Sequence, residues 1–306
     1  MTVATAYANQ TIETQTKAAR QIAEIRKAPS GHWVGDGFPV RTIFGYDNAD
    51  AVSPFLLFDY AGPLDFPSAE KRRGVGEHPH RGFETVTIVY SGEVDHRDSG
   101  GGGGRIGPGD VQWMTAGGGI VHEEMHSAEF TKSGGKFEAI QLWVNLPKRD
   151  KMTKPGYQTI LSSDIKEVAL PGEAGVVRLI AGEFGGVKGP ARTFTPVGLW
   201  DVRLKGGHGA WLDVPKGHNV SVFAMDGGVT INGTRKLGAA EIAILDRNGD
   251  GLQIDADKDT RIVVLSGEPI AEPVFGYGPF VMNTEAEIRE AILDFQSGKM
   301  GRLPRS

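Results

Sequence analysis

Two short segments in the first half of the chain have the residue types and spacing of a metal site. The first pairs His78 with His80, and the second pairs His122 with Glu124. Side chains alternate between the two faces of a β-strand, so residues two apart point the same way. Each pair would therefore share a face, whereas Glu123 would point away from its neighbours. Two such pairs on adjacent strands would bring three imidazoles and one carboxylate together.

A nitrogen and oxygen ligand set of this kind suits Fe, Mn, Ni, Cu or Zn with coordination positions left open. The chain has no cysteine, so thiolate ligands, thiolate catalysis and disulfides are excluded. A single His-x-His pair is often an ordinary surface feature of a strand. The second pair, in a glycine-rich β context, favours the metal interpretation.

Composition and charge argue against some classes of protein. The chain has 306 residues and a formal net charge of −5, and it lacks an extended basic patch, so direct nucleic-acid binding is not expected. No signal peptide or membrane-spanning apolar run is visible, which predicts a cytoplasmic protein. Glycine is abundant, with 44 residues, as expected of many tight turns between short strands.

The pattern of elements predicts an all-β fold with a helix at each end. Short β-branched or aromatic runs bounded by Gly, Pro, Asn or Asp fill most of the chain, as in β-sandwiches and barrels. An apolar stripe predicts an N-terminal helix from Thr11 to Lys27. Thr284 and Glu287 form a capping box for a C-terminal helix that ends at Gly298.

A faint internal repeat suggests two copies of one β-barrel. The segment 83–92 can be laid without gaps over the segment 218–227, and both are strands that run into a glycine turn. The same overlay puts residues without an imidazole at the four candidate ligand positions of the second copy, which predicts a metal-free second barrel. These residues are Asp213, Pro215, Gln253 and Asp255.

Several longer motifs resemble the pirin family of the cupin superfamily. They lie at residues 78–85, 109–117, 119–124, 141–146 and 278–284. The resemblance implies two cupin barrels face to face, each a double-stranded β-helix or jelly roll, with metal in the first. The resemblance runs from about residue 30 to 300 and does not account for the predicted helix before it. The predicted organisation is an N-terminal helical extension over 1–29, a metal-binding cupin domain over 30–165 and a metal-free cupin domain over 166–306.

Carried over residue by residue, the resemblance assigns His78, His80, His122 and Glu124 as ligands of one divalent transition metal. Iron is the expected metal, with Mn, Ni, Cu and Zn as alternatives. General cupins instead use a glutamate shortly after the His-x-His pair, which here is Glu84. Strand alternation alone does not exclude Glu84, so it stays a candidate partner of the ligands.

The resemblance also implies a function. It predicts a quercetin 2,3-dioxygenase-like enzyme that cleaves flavonols with O2, in which Glu124 serves as general base. The alternative is a non-enzymatic, iron-dependent regulatory protein that binds a protein partner. A small aromatic substrate or a protein partner is thus expected, and no membrane. Near the site, the glycine-rich segment 99–105 predicts a flexible hairpin. For His96, a solvated hairpin side chain is favoured over the alternative that it lines the pocket.

Overall fold

The computed structural model describes residues 17–303, and strands make up most of them. Strands of the first half carry the candidate ligands. They are β1 (Ile22–Lys27), β2 (His32–Val34), β3 (Phe38–Phe44), β4 (Phe55–Phe66), β5 (Gly74–His80), β6 (Phe83–Ser91), β7 (Val94–Asp98), β8 (Gly103–Ile106), β9 (Val111–Thr115), β10 (Ile120–His126), β11 (Gly135–Asn145) and β12 (Gly156–Ile160).

The second half repeats this strand-rich pattern. Its strands are β13 (Lys166–Ala169), β14 (Gly175–Ala181), β15 (Glu183–Phe184), β16 (Val187–Lys188), β17 (Val197–Leu204), β18 (His208–Asp213), β19 (Asn219–Ala224), β20 (Val229–Ile231), β21 (Arg235–Leu237), β22 (Glu241–Leu245), β23 (Gly251–Ala256), β24 (Thr260–Gly267), β25 (Phe275–Tyr277) and β26 (Phe280–Met282). The α-helices are α1 (Ala49–Val52), α2 (Ala128–Ser133) and α3 (Glu285–Gln296). Short 3-10 turns lie at Tyr46–Asn48, Lys148–Asp150, Ser162–Asp164 and Pro171–Glu173.

Two seven-stranded antiparallel sheets form the centre of the molecule. The first has the order β12-β9-β6-β11-β4-β3-β2, and the second has the order β1-β22-β19-β24-β17-β14-β13. Their facing sides share one apolar core, in which the rings of Phe58 and Phe223 lie 4.7 Å apart. Burial of this shared surface holds the two halves face to face. The predicted all-β pair of barrels is confirmed.

A four-stranded sheet closes each barrel on the side away from the shared core. In the first half its order is β5-β10-β7-β8, and in the second half it is β18-β23-β20-β21. The metal-site candidates lie on β5 and β10. In the equivalent pair of the second barrel, β18 and β23, the inward positions Leu212 and Leu252 join an aliphatic core.

The overlay positions of the second barrel face away from that core. Asp213 is exposed, and Gln253 donates a hydrogen bond of 2.9 Å to Asp255 along the outer face of β23. The side chains that the overlay set against the first barrel's ligands therefore do not converge inside the second barrel.

The predicted N-terminal helix is wrong for the part of it that the structure describes. Residues 22–27 form β1, which pairs with β22 at the edge of the second seven-stranded sheet, and the segment 11–16 lies outside the described residues. Ile22 and Ile25 pack on the core of the second barrel. Hydrogen bonding to an otherwise open sheet edge outweighs the helical spacing of the apolar residues.

The C-terminal helix is confirmed with its predicted caps. Thr284 Oγ1 accepts a hydrogen bond from the backbone N–H of Glu287, and the Glu287 carboxylate accepts one from the N–H of Asn283. Gly298 follows the helix with a φ of 79°, a left-handed conformation that suits glycine. The helix packs on β26, next to the first barrel's metal-site candidates.

The chain passes from the first large sheet to the second between β12 and β13. The predicted domain boundary near residue 165 falls within this interval and stays a prediction, as do the proposed domain limits. Among residues 17–303, no helix combines the length and the apolar character needed to cross a membrane.

Candidate metal centre

Three histidines converge inside the first barrel. The pairing of β5 with β10 puts His78 directly opposite His122, and His80 lies two residues along on the same face. One ring nitrogen from each of the three lies within 4.8 Å of the other two. Within the described part of the chain, no other group of three or more His, Asp or Glu side chains meets this criterion. The predicted convergence of these imidazoles is confirmed.

Each of the three rings has its Nδ1 atom engaged on the side away from the cluster. His78 Nδ1 lies 2.8 Å from the Gly76 carbonyl oxygen, and His80 Nδ1 lies 3.3 Å from that of Pro279. His122 Nε2 is buried and has no hydrogen-bond partner within residues 17–303. A buried nitrogen without a hydrogen-bond partner, close to two more imidazoles, fits a metal ligand.

Burial favours the neutral form of two of these imidazoles, His80 and His122. It lowers the pKa of His122 well below the usual histidine value, and the neighbouring His80 and His78 lower it further. Burial is also the main cause that lowers the pKa of His80, followed by His78. Neutral imidazoles have the free lone pair that coordination requires.

Glu124 lies in the same cavity as the histidines but outside the three-histidine group. Gln112 Nε2 donates a hydrogen bond to Glu124 Oε1, and Thr87 Oγ1 lies 3.2 Å from the same oxygen. These contacts hold the carboxylate against β6 and β9. Its inward direction agrees with strand alternation, while its assignment as a ligand stays a prediction.

Glu123 points away from the site, as alternation predicts. Its carboxylate accepts a hydrogen bond of 2.5 Å from Arg97 Nε on the outer face of the neighbouring strand. The two adjacent glutamates thus lie on opposite faces of β10.

Glu84 also points away from the site, so it is not a partner of the ligands. The chain turns at Arg81 and Gly82, where β5 of one sheet gives way to β6 of another, and the alternation is interrupted there. Glu84 accepts a hydrogen bond of 2.8 Å from Thr115, on the face opposite to Thr87. Counting alternate residues from His80 through this turn therefore assigns Glu84 to the wrong face.

The expectation that His96 is a solvated hairpin residue is wrong. His96 lies on β7, where it is buried and paired with Glu124 of β10. Its ring stacks on Tyr157 with centroids 4.6 Å apart. Its Nδ1 atom lies 3.3 Å from His122 Nδ1, and its Nε2 atom lies 3.3 Å from Asp98 Oδ2. The sequence holds a usable signal, because Val94, His96 and Asp98 alternate with the charged Asp95 and Arg97.

The glycine-rich segment positions Asp98. The backbone N–H groups of Gly100 and Gly102 donate hydrogen bonds of 2.8 and 2.9 Å to Asp98 Oδ1. A methyl group on Gly102 would collide with Asp98 Oδ2, so the close approach requires glycine there. Burial alone would raise the pKa of Asp98, but the hydrogen bonds from His96 and these amides outweigh it and lower that pKa.

A cavity of about 440 Å³ opens onto His78 and His80. We call it the first cavity. Its walls come mainly from β3, β4 and β11, and they are apolar apart from a few polar groups. Its lining includes Val34, Phe38, Val40, Leu57, Asp59, Ala61, Val75, Ala139, Gln141, Trp143 and Pro279, together with His78, His80 and Glu124. This combination is typical of a small-molecule site.

Comparison with known proteins agrees with this site. The family model "Pirin" matches residues 37–144, and the model "Pirin C-terminal cupin domain" matches residues 199–301. A Pseudomonas aeruginosa protein named "Putative quercetin 2,3-dioxygenase" is 57% identical over 272 residues, covering 89% of this chain and 95% of its own. Human pirin is 39% identical over 274 residues, covering 87% and 89%.

A solved structure shows the same architecture. The crystal structure of quercetin 2,3-dioxygenase from Acinetobacter baumannii is 51% identical to this chain and superposes with a TM-score of 0.91. The match covers 94% of this chain and all of that one. Together with the two family models and the histidine cluster, these similarities show that the chain belongs to the pirin family.

Proposed function

We propose that this protein is a metal-dependent dioxygenase that cleaves flavonols such as quercetin with O2. The observation that carries the proposal is the cluster of His78, His80 and His122 at the base of an apolar cavity large enough for a small aromatic molecule. The names of its relatives support the same chemistry. The overall reaction adds both atoms of O2 to the flavonol, breaks two carbon–carbon bonds of the central ring and releases one carbon as CO.

The residues present fit a divalent transition metal. With Nδ1 of His78 and His80 directed at carbonyl oxygens, their Nε2 atoms are left for coordination together with that of His122. We propose iron, with Mn, Ni, Cu and Zn as alternatives that the same ligands accept. When bound, such a metal would supply a Lewis acid toward an enolate oxygen and an electron route to O2.

We propose that Glu124 takes the proton of the flavonol 3-hydroxyl. Its carboxylate lines the first cavity beside the histidines, and Gln112 and Thr87 fix one of its oxygens. A carboxylate anchored through one oxygen keeps the lone pairs of the other for a proton or a metal. We propose both functions for Glu124, as ligand and as general base.

The outer part of the first cavity offers contacts to a hydroxylated aromatic molecule. Trp143 stacks on Phe83 with centroids 4.3 Å apart, which makes a rigid flat wall. Asp59, whose pKa burial raises, accepts a hydrogen bond of 2.5 Å from Thr42 and lines the same space. Apolar walls with a few directed polar groups exclude water and orient the substrate.

The test is O2 uptake with quercetin after anaerobic loading of the metal-free protein with Fe, Mn, Ni or Cu. We expect rapid uptake that depends on the metal and is lost in His80→Ala. A control with Glu123→Gln, which changes the outer face of the same strand, should retain the parental rate. Absence of uptake with every metal would contradict the proposal and favour the regulatory alternative, in which the metal alters a surface that binds a protein partner.

A further inference from the structure

The second barrel contains a cavity at the position equivalent to the first cavity. In both seven-stranded sheets the fourth and fifth strands are paired neighbours, β11 and β4 in one and β24 and β17 in the other. The first cavity is lined by β4 and β11, and the second, of about 420 Å³, is lined by the end of β24 and the start of β17. Each barrel thus has a cavity beside the same pair of strands, and within residues 17–303 the second barrel has no histidine cluster.

Three polar side chains in the lining of this second cavity have an atom that is buried and unpaired. Trp200 Nε1, Ser266 Oγ and His218 Nδ1 find no hydrogen-bond partner within residues 17–303, although all three atoms are shielded from solvent. Trp200 and Ser266 are each only 1% exposed. Buried polar atoms in folded proteins are nearly always paired, so three unpaired ones around one cavity indicate a missing partner.

Gly198 allows two of these polar side chains to approach its backbone. A methyl group at this position would collide with Ser266 Oγ and would lie 3.3 Å from Trp200 Nε1. Both polar atoms therefore lie close to Gly198, on the face where any other residue would carry a side chain. The register agrees, since Gly198 is paired with Ser266 across the two strands.

The hydrogen-bonding properties of these three groups indicate the chemical class of the ligand. An indole N–H can only donate a hydrogen bond, and a serine hydroxyl and an imidazole nitrogen can each donate one. The rest of the lining is largely apolar at this end, with Pro196, Val197 and Ala191. Lys188 at the rim adds a positive charge, which Glu183 partly offsets. Convergent donors on an apolar wall recognise an oxygen acceptor attached to an apolar body.

We propose that the second barrel binds a small apolar molecule through a carbonyl or carboxylate oxygen, at Trp200, Ser266 and His218. This site is separate from the first cavity and does not depend on the metal. The protein would thus combine a metal centre in one barrel with a metal-free ligand site in the other.

The test follows the indole N–H signal of Trp200 by proton–nitrogen NMR in the full-length, metal-loaded protein, with Trp200→Phe identifying the signal. The probes are benzoate, benzamide and benzylamine, which share a ring but differ in the acceptor. We expect benzoate and benzamide to move the Trp200 signal at millimolar concentration and benzylamine to leave it in place.

Variants show where the probes bind. Ser266→Ala should weaken benzoate binding about tenfold, the scale of one hydrogen bond to a charged group. The pair Gly198→Ala and Ser266→Ala puts a methyl group into the space beside Trp200 and should abolish binding. Thr42→Val, in the first cavity, is the matched control and should leave the titration unchanged. Metal content and thermal midpoint report whether each variant folds, and Ser266→Ala alone decides if the double variant does not.

Three results would overturn the proposal. A Trp200 signal that no probe moves would mean that the donors bind only water. Equal shifts with benzoate and benzylamine, or an unchanged titration in Ser266→Ala, would mean that the cavity takes up small molecules without recognising an acceptor.

Discussion

The Nδ1 atoms of His96 and His122 lie 3.3 Å apart on paired strands, behind the three-histidine cluster. The Asp98 carboxylate beyond His96 can only accept a hydrogen bond, so His96 Nε2 carries the proton and His96 Nδ1 accepts one. His122 Nδ1 is then the donor, which leaves the lone pair of His122 Nε2 directed at the cluster. Asp98 thus sets the tautomer of a ligand that it does not touch.

This chain of contacts predicts that Asp98→Asn weakens metal binding. The amide can present an N–H to His96 and reverse both tautomers, so the dissociation constant should rise about 10- to 100-fold. Competition with a chelator of known affinity measures it, using Ni²⁺ as the probe. Asp95→Asn is the control, because Asp95 forms its ion pairs with Arg72 and Arg105 on the outer face. An effect of Asp98→Asn that persists in His96→Phe would show that Asp98 does not act through His96.

Glu124→Gln is expected to lower turnover with quercetin by about two or more orders of magnitude, the scale for removing a general base. The paired variant Glu123→Gln should lose little, because Glu123 contacts Arg97 on the opposite face. Initial O2 uptake rates and metal content are measured on the same preparations. Equal losses of turnover in the two variants would mean that the direction in which each glutamate points from β10 does not determine its function.

The buried Glu84 should make the free energy of unfolding depend on pH. Burial raises its pKa to about 7 in the folded protein, so the folded state holds this proton more tightly than the unfolded chain does. The stabilisation is complete below the unfolded pKa of about 4.5 and is lost as the pH rises to about 7. Relative to Glu84→Gln, the parental protein should therefore lose about 1–3 kcal/mol of unfolding free energy between pH 4.5 and pH 7.5. Urea unfolding of both proteins measures the difference, and a constant difference across that range would contradict the argument.

Arg178 joins the two halves through a buried contact. Its guanidinium lies 2.6 Å from Asp201 within the second sheet, and it donates a hydrogen bond of 2.8 Å to the Gly109 carbonyl of the first barrel. Arg178→Met leaves the Asp201 carboxylate buried without its cation, which should cost about 3–5 kcal/mol in unfolding free energy. Lys236→Met, which removes an exposed ion pair with Asp257, should cost less than about 1 kcal/mol in the same guanidinium titration. Similar losses of unfolding free energy in the two variants would mean that the buried Arg178–Asp201 pair stabilises the protein no more than an exposed pair does.

Local spacing was enough to predict the histidines, because His78 and His80 lie on one strand and alternation within a strand is not altered by the rest of the fold. It failed at Glu84, where the turn at Gly82 changes the sheet and breaks the count. It failed again at the N terminus, because the pairing of β1 with β22 joins residues far apart in the sequence. His96 was misplaced because burial depends on which strand lies opposite, and that strand is β10.

The most direct test of the proposed function is the gas released from quercetin. The metal-loaded protein should form CO in an amount equal to the O2 consumed, since cleavage expels one ring carbon while both oxygen atoms enter the organic product. Metal-free protein and His122→Ala measured under the same conditions should form none. Consumption of O2 without CO, or equal CO from the metal-free protein, would contradict the assignment of this three-histidine site to flavonol cleavage.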